Sequence, residues 1–275
     1  MEQIENGEVR LAFERTGGSG DPVVLIHGGW DDHRSWEPVV PRLAEALRVI
    51  AYDRRGHGES RGPARDRPVL SDASDLGMLL EATGEFPAHL VGQGFGGVVA
   101  LRLAVDRPEL VRSVVAHEAP FLAWAAGASA DDPAPNSVEA QVRRVQGLVR
   151  SEPERAADAY LAVFASPEEQ WTQLGPSARR DLATNGPAWA EEMSDPVVWR
   201  AGGEELSSVS VPVLLTAGGR SPTFAARINE ALASTLPNAT AVVLSEGGHF
   251  VLRTDPGLWV GVLGSFLLER NVPST

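Results

Sequence analysis

Short, uninterrupted apolar runs alternate with helix-length amphipathic stretches along most of the chain, and this alternation restricts the fold more than any single residue does. The runs are Val23–Ile26, Val49–Tyr52, His89–Val91, Ser113–Ala116, Val211–Thr216 and Ala241–Leu244. Stretches of helical character lie among them at Trp36–Leu47, Ser71–Ala82, Phe95–Val105, Phe224–Leu236 and Pro256–Glu269. A strand that is apolar throughout is buried on both faces, and with helices in between this means a mostly parallel sheet built by right-handed crossovers. Ahead of the pattern, Asn6-Gly7 makes a favoured two-residue turn. Val9, Leu11 and Phe13 then alternate with Arg10, Ala12 and Glu14, which predicts a hairpin. The expected fold class is α/β, a mostly parallel sheet flanked by helices.

One long segment breaks the rhythm. From 121 to 209 the chain is helical in character, with amphipathic stretches at Val138–Val149 and Pro153–Phe164, punctuated by prolines that include Pro133, Pro135, Pro167 and Pro187. Four of the seven tryptophans (Trp124, Trp171, Trp189, Trp199) fall inside it. A helical insertion between two strands of a parallel sheet sits most naturally over the carboxyl edge, where ligands bind. The expected organisation is a core of residues 1–120 and 210–275 with a helical cap, or lid, at 121–209. The lid indoles either face the ligand or form the lid's own small core.

Composition narrows the chemistry. All 24 basic residues are arginine, against 37 acidic ones, for a net charge of −13. Such a surface repels nucleic acid and anionic membranes. With no lysine there is no Schiff-base chemistry, and with no cysteine there is neither thiolate chemistry nor Cys-ligated zinc. The opening MEQIENGEVR has no basic leader or apolar core, and no window approaches the ~20 apolar residues of a membrane helix. The expectation is a soluble cytoplasmic protein. No metal-ligand spacing and no Walker loop is visible, so no metal and no cofactor is expected. Gly92-x-Gly94-x-x-Gly97 formally fits a dinucleotide fingerprint, but it lacks the N-terminal βαβ context that motif requires.

Four segments at predicted strand ends carry a more specific signal. They are Val23-Val24-Leu25-Ile26-His27-Gly28-Gly29-Trp30, Tyr52-Asp53-Arg54-Arg55-Gly56-His57-Gly58-Glu59-Ser60, His89-Leu90-Val91-Gly92-Gln93-Gly94-Phe95-Gly96-Gly97 and Gly247-Gly248-His249. In this order they strongly resemble the α/β-hydrolase superfamily, in its esterase, perhydrolase and epoxide-hydrolase-like branch with a helical cap. The resemblance implies a sharp strand-to-helix elbow at Gly92–Gly96 and an oxyanion hole made by the N–H groups of Trp30 and Phe95. It also implies structural roles for His27 and His57 and a catalytic role for His249.

The departures from that family matter most. Its elbow is G-x-S-x-G, and the serine position here is Gly94, flanked by Gln93 and Phe95. Its usual acid follows the strand after the lid in a stretch like Gly-Gly-Asp-Ser-Pro. Here that stretch is Gly218-Gly219-Arg220-Ser221-Pro222. Loss of the nucleophile leaves only what the hole and binding supply. Glu118, closing the strand before the lid, either orients His249 or caps the lid hinge, and its neighbour His117 reads as core. Gly94 marks either room opened for substrate or water, or an abandoned nucleophile. Gln93 would stand beside the elbow as a neutral donor and acceptor. Arg220 either turns inward to Glu118 or Glu246, or is solvated. Asp31, Asp32 and His33 read as a helix N-cap.

Three functions follow. The first is a cofactor-free enzyme without a serine, in which His249, held by Glu118, performs acid–base chemistry (lyase, cyclase, isomerase or dehydratase) on a small apolar carbonyl compound. The second is a ligand-binding pseudoenzyme. The third is a hydrolase in which His249 activates water directly. All three imply a small-molecule partner, and nothing in the residues sets an oligomeric state.

Overall fold

The computed structural model describes residues 1–63, 66–124, 137–165, 176–200 and 203–268. Eight strands are present: β1 (Glu2–Asn6), β2 (Val9–Thr16), β3 (Pro22–Ile26), β4 (Arg48–Tyr52), β5 (Ala88–Gln93), β6 (Val111–His117), β7 (Val213–Gly218) and β8 (Ala239–Leu244). They form one sheet in the order β1-β2-β4-β3-β5-β6-β7-β8. The hairpin β1–β2 joins β4 antiparallel, and every other pairing is parallel. β7 starts two residues into the apolar run, just after Pro212, which has no N–H to give a ladder.

The helices are α1 (Val40–Leu43), α2 (Pro68–Thr83), α3 (Phe95–Asp106), α4 (Val138–Leu148), α5 (Pro153–Phe164), α6 (Pro176–Glu192), α7 (Pro196–Trp199), α8 (Gly203–Leu206), α9 (Thr223–Thr235), α10 (Val251–Thr254) and α11 (Pro256–Leu268). One expectation needs correction. Trp36–Leu47 is not a single helix but a 3₁₀ turn at His33–Trp36 followed by the single turn of α1. Pro38 and Pro41 explain the break, because each lacks the N–H that a helix interior needs. Pro187, by contrast, sits inside α6 instead of ending it. Trp171, Pro133, Pro135, Pro167 and Glu269 lie outside the described residues.

Strand side chains alternate between two cores. Val24, Ile26, Ile50, Leu90, Val114 and Leu215 join one apolar cluster, while Val23, Leu25, Val49, Val91, Val115 and Leu214 join the other. Both faces are thus filled along β3–β7, which is why these strands read as continuous apolar runs; the run at Ala241–Leu244 departs from that expectation, since β8 is an edge strand and Val243 is exposed. The second cluster packs against α1, α10 and α11. The first extends into the α4–α6 insertion between β6 and β7 through Val142, Val145, Tyr160, Phe164, Trp189 and Met193. The lid therefore shares the core of the sheet instead of keeping one of its own. No helix among the described residues is long and apolar enough to cross a membrane.

Because β3, β5, β6 and β7 run parallel, their carboxyl ends gather on one edge. That edge brings together the turn after Ile26, Gly94, Glu118 and Gly218.

Candidate active site

The turn between β5 and α3 is a sharp strand-to-helix turn with a glycine, Gly94, at its apex. Gly94 caps α3 at φ 54° and ψ −124°, a conformation that glycine enters freely and other residues hold only under strain. Its N–H donates to the His117 carbonyl at 2.8 Å. A Cβ built on Gly94 would stand 3.7 Å from Gly28 Cα and 3.8 Å from His249 Cε1, ordinary contact distances. At Gly96 the case differs, since a Cβ there would collide with the backbone carbonyl of Ile26. Close strand–helix packing therefore demands the outer glycine, while the central position has room for a small side chain.

Folding brings Glu118 to His249 across 131 residues. Glu118 Oε2 accepts from His249 Nδ1 at 2.8 Å, and Oε1 accepts the Gly218 N–H at 2.7 Å. Among the described residues Glu118 is the one non-glycine residue with positive φ, at 49°. Such backbone strain persists where the surroundings over-determine it, as at functional sites. Burial opposes ionisation of this carboxyl. The His249 hydrogen bond and the adjacent His117 and His249 rings, which favour the carboxylate, outweigh that cost, and its pKa is lowered to about 2. An ionised Glu118 places the imidazole proton on Nδ1 and leaves Nε2 as a lone pair.

Nε2 has two neighbours. The Gln93 amide nitrogen lies 3.1 Å from Nε2, and the Tyr160 hydroxyl lies 3.3 Å from it. Gln93 is almost wholly buried and also donates to the His249 carbonyl at 3.3 Å. It does not line the cavity. Tyr160 arrives from α5 and could not be singled out in the sequence, where it is one more apolar residue on an amphipathic lid helix.

The cavity over Gly94 encloses about 20 Å³, room for a single water. Its floor is Gly29, Gly94 and His249, and its roof is Tyr160, Phe164, Trp189 and Met193. The lining departs from the oxyanion expectation at one residue. Phe95 lines the cavity, and its N–H opens α3, where no intrahelical partner exists. Trp30 does not line it. Its indole stacks on Tyr160 at 5.0 Å, and its carbonyl accepts from Asn185 on α6. The residue of this turn that faces the cavity is Gly29, one position earlier, because the large Trp30 side chain packs against Tyr160 and Trp189.

A Cβ on Gly29 would meet Trp189 Cδ1 at 2.5 Å and Glu192 Oε2 at 2.6 Å, both from α6. Gly29→Ala is expected to push the lid off this turn at a cost of about 1–3 kcal/mol. Thermal unfolding measures it, and an unchanged midpoint would mean that α6 is not seated as described.

Other candidates take structural places. His27 Nε2 accepts the Arg54 N–H at 2.9 Å, and His57 Nε2 lies 3.0 Å from the Gly29 carbonyl. His117 is tied to Thr216 and to the Gly248 carbonyl, and burial lowers its pKa and keeps the ring neutral. Arg220 faces outward and pairs with exposed Glu246, so it does not enter the site. Asp32 caps the 3₁₀ turn by accepting the Arg34 N–H.

The fold also assembles one cluster that sequence spacing did not show, Asp32, His33 and Asp53, whose ligand atoms lie within 4.8 Å of one another. Its lone pairs are already engaged. Asp53 accepts from His33 Nδ1 at 2.7 Å, from the His33 N–H and from the Glu59 N–H, while Asp32 holds Arg34. It reads as a satisfied loop anchor. A larger cleft of about 300 Å³, between α3 and α7–α8, includes neither His249 nor Glu118.

The model of the α/β-hydrolase fold matches residues 21–256. A protein bearing the name carbamate hydrolase RutD, from Azorhizobium caulinodans, is 27% identical, covering 98% of this chain and 99% of its own. The 2-(acetamidomethylene)succinate hydrolase of Mesorhizobium japonicum is 26% identical over 96% of this chain and 94% of its own. An α/β hydrolase from Sphaerobacter thermophilus superposes with a TM-score of 0.76 at 26% identity, covering 96% of this chain and 99% of that one.

Proposed function

The chain belongs to the α/β-hydrolase fold family, and within that family we propose that it is a cofactor-free enzyme acting without a covalent intermediate, with His249 as general base and Glu118 as the group that orients it. The observation that carries this reading is the 2.8 Å His249–Glu118 pair, beside an elbow that keeps its geometry but has lost its side chain.

The substrate carbonyl oxygen would take the N–H groups of Gly29 and Phe95, donors aimed where negative charge develops. A water in the space left by the absent serine would give a proton to His249 Nε2 as its oxygen attacks the carbonyl carbon. Glu118 stabilises the imidazolium so formed. On collapse of the tetrahedral intermediate the same proton passes from Nε2 to the leaving group. The Tyr160 hydroxyl, 3.3 Å from Nε2 and part of the cavity lining, would turn to the water and hold it in line. That two full-length relatives are named hydrolases favours hydrolysis of an ester, lactone or carbamate.

A second reading uses the same base for elimination or isomerisation. The observation that favours it is the roof of Tyr160, Phe164, Trp189 and Met193, which leaves space for no more than one water. Both readings require His249. His249→Asn is expected to lower turnover on a panel of activated esters, lactones and carbamates by about a hundredfold or more. Equal rates in variant and wild type would move the protein to the ligand-binding class. Running the reaction in oxygen-labelled water separates the two readings, since only hydrolysis puts the label in the product.

A further inference from the structure

A buried arginine lies behind the cavity turn and has no part in the chemistry described above. Arg54 follows β4, and its Nη1 donates to Asp72 Oδ2 on α2 at 2.7 Å and to Glu192 Oε1 on α6 at 2.6 Å. None of these three side chains reaches solvent. The remaining donors go to backbone: Nε to the His27 carbonyl and Nη2 to the Gly28 carbonyl, each at 3.1 Å. The guanidinium lies 5.1 Å from the centre of the Phe95 ring, so it also packs behind the second donor of the hole.

A trans peptide holds its C=O and N–H in one plane, pointing in opposite directions. The Gly28 carbonyl and the Gly29 N–H belong to the same plane. Arg54 Nη2 at 3.1 Å and His27 Nδ1 at 2.7 Å hold its oxygen end. Whatever holds the oxygen also sets where the N–H points. A cation on a carbonyl oxygen draws charge from the peptide and makes its N–H a stronger donor, the chain-like polarisation expected in a low dielectric.

We propose that Arg54 is a positioning residue for the Gly29 N–H, and that Glu192 is the lid-borne half of a latch that holds Arg54 in place only while α6 is docked. The inference rests on the proposed use of Gly29 as an oxyanion donor. Two features separate it from an ordinary buried ion pair. The arginine grips two successive carbonyls of the very turn that lines the cavity, and one of its two carboxylate partners arrives on the lid. The lid also touches Gly29 directly, since neither Trp189 nor Glu192 leaves room for a Cβ there. With only about 20 Å³ beneath it, the lid must lift to admit substrate. Lifting removes Glu192 and leaves the guanidinium to Asp72, whose pull lies toward α2. Redocking over bound substrate then realigns the donor, so the hole is complete only when the site is shut.

The test uses wild type, Glu192→Gln and Arg54→Lys with glycine-selective amide labelling and hydrogen exchange. Glutamine keeps the volume of Glu192, and lysine keeps the charge of Arg54 without its fork. In both variants the Gly29 amide resonance is expected to move. Amides of residues 185–192 are expected to exchange about tenfold faster or more. The low-field Nδ1 proton of His249 is expected to stay in place, which keeps the latch separate from the His249–Glu118 pair. A Gly29 resonance that stays put in both variants, or α6 exchange at the wild-type rate, overturns the proposal. A result in which His249→Asn leaves turnover unchanged would sink the functional reading while leaving this spectroscopic result to be judged by itself.

Discussion

Gly94→Ser is expected to turn this protein into a covalent esterase. The elbow geometry is already present, and a Cβ fits at 3.7 Å from Gly28 and 3.8 Å from His249 Cε1 without displacing backbone. A serine hydroxyl there would take the place of the Gln93 amide as donor to His249 Nε2, now 3.1 Å away. Glu118 has already set the tautomer that makes Nε2 a base. In a family triad the nucleophile accounts for most of the rate, so the gain on 4-nitrophenyl acetate is expected to be on the order of 10³-fold over wild type. It should bring a burst and an acetylated protein detectable by mass. The new Cβ at positive φ costs about 1–3 kcal/mol of stability, which lowers the melting temperature without preventing folding. A folded variant with neither burst nor acetylated species would show that hole and base are misaligned, and would count against the acid–base reading of the wild type as well.

A steep loss of stability in acid is the second large effect expected. His89 lies in β5 with Nδ1 on the Ser113 hydroxyl at 2.7 Å. Burial, reinforced by the charge of Arg112, lowers its pKa to about 4. A histidine depressed from about 6.5 to about 4 contributes stability that is fully present above pH 6.5. That contribution is lost as pH falls toward 4, because the unfolded chain takes up the proton first. The loss is roughly 3 kcal/mol. Glu118 has the same sign at lower pH: its contribution is present above about 4.5 and lost as pH falls through about 2. His33 opposes this trend. Its pKa is raised, since the Asp53 hydrogen bond and nearby acidic charges outweigh burial, so its contribution is lost as pH rises above its folded value. Urea unfolding as a function of pH should therefore show a maximum near neutrality and an acid limb starting near 6.5. His89→Gln should flatten the first part of that limb, and a limb that survives the substitution unchanged would assign it to other groups.

Much of the architecture is legible in the residues alone. The six apolar runs, the glycine of the hairpin turn (which falls at Gly7-Glu8, one residue past the expected Asn6-Gly7, because Asn6 pairs with Val9) and the elbow glycines depend on rules that act within a few residues. The strands, the parallel sheet and the strained turn at Gly94 follow from them. The break of the predicted helix over Trp36–Leu47 was also present in the sequence, at Pro38 and Pro41. Which residue of the Gly28–Trp30 turn lines the cavity is not legible there, for a different reason. A one-step choice between Gly29 and Trp30 depends on which way a side chain turns, and the lid decided it by taking the Trp30 indole against Tyr160.

Local patterning in the residues is enough for the sheet, the family resemblance, the glycine at the elbow and the presence of His249, because such patterns and turn chemistry are local and periodic. Tertiary contacts alone bring Glu118 to His249, keep Arg220 outside, set Gln93 and Tyr160 beside Nε2, and join a buried arginine to α6 and to the turn after β3. Those contacts link residues such as Arg54 and Glu192, 138 positions apart, or His249 and Tyr160, 89 apart. No repeat along a chain encodes them. They exist because burial leaves each charge and each lone pair to find a partner wherever the packed elements bring one within reach.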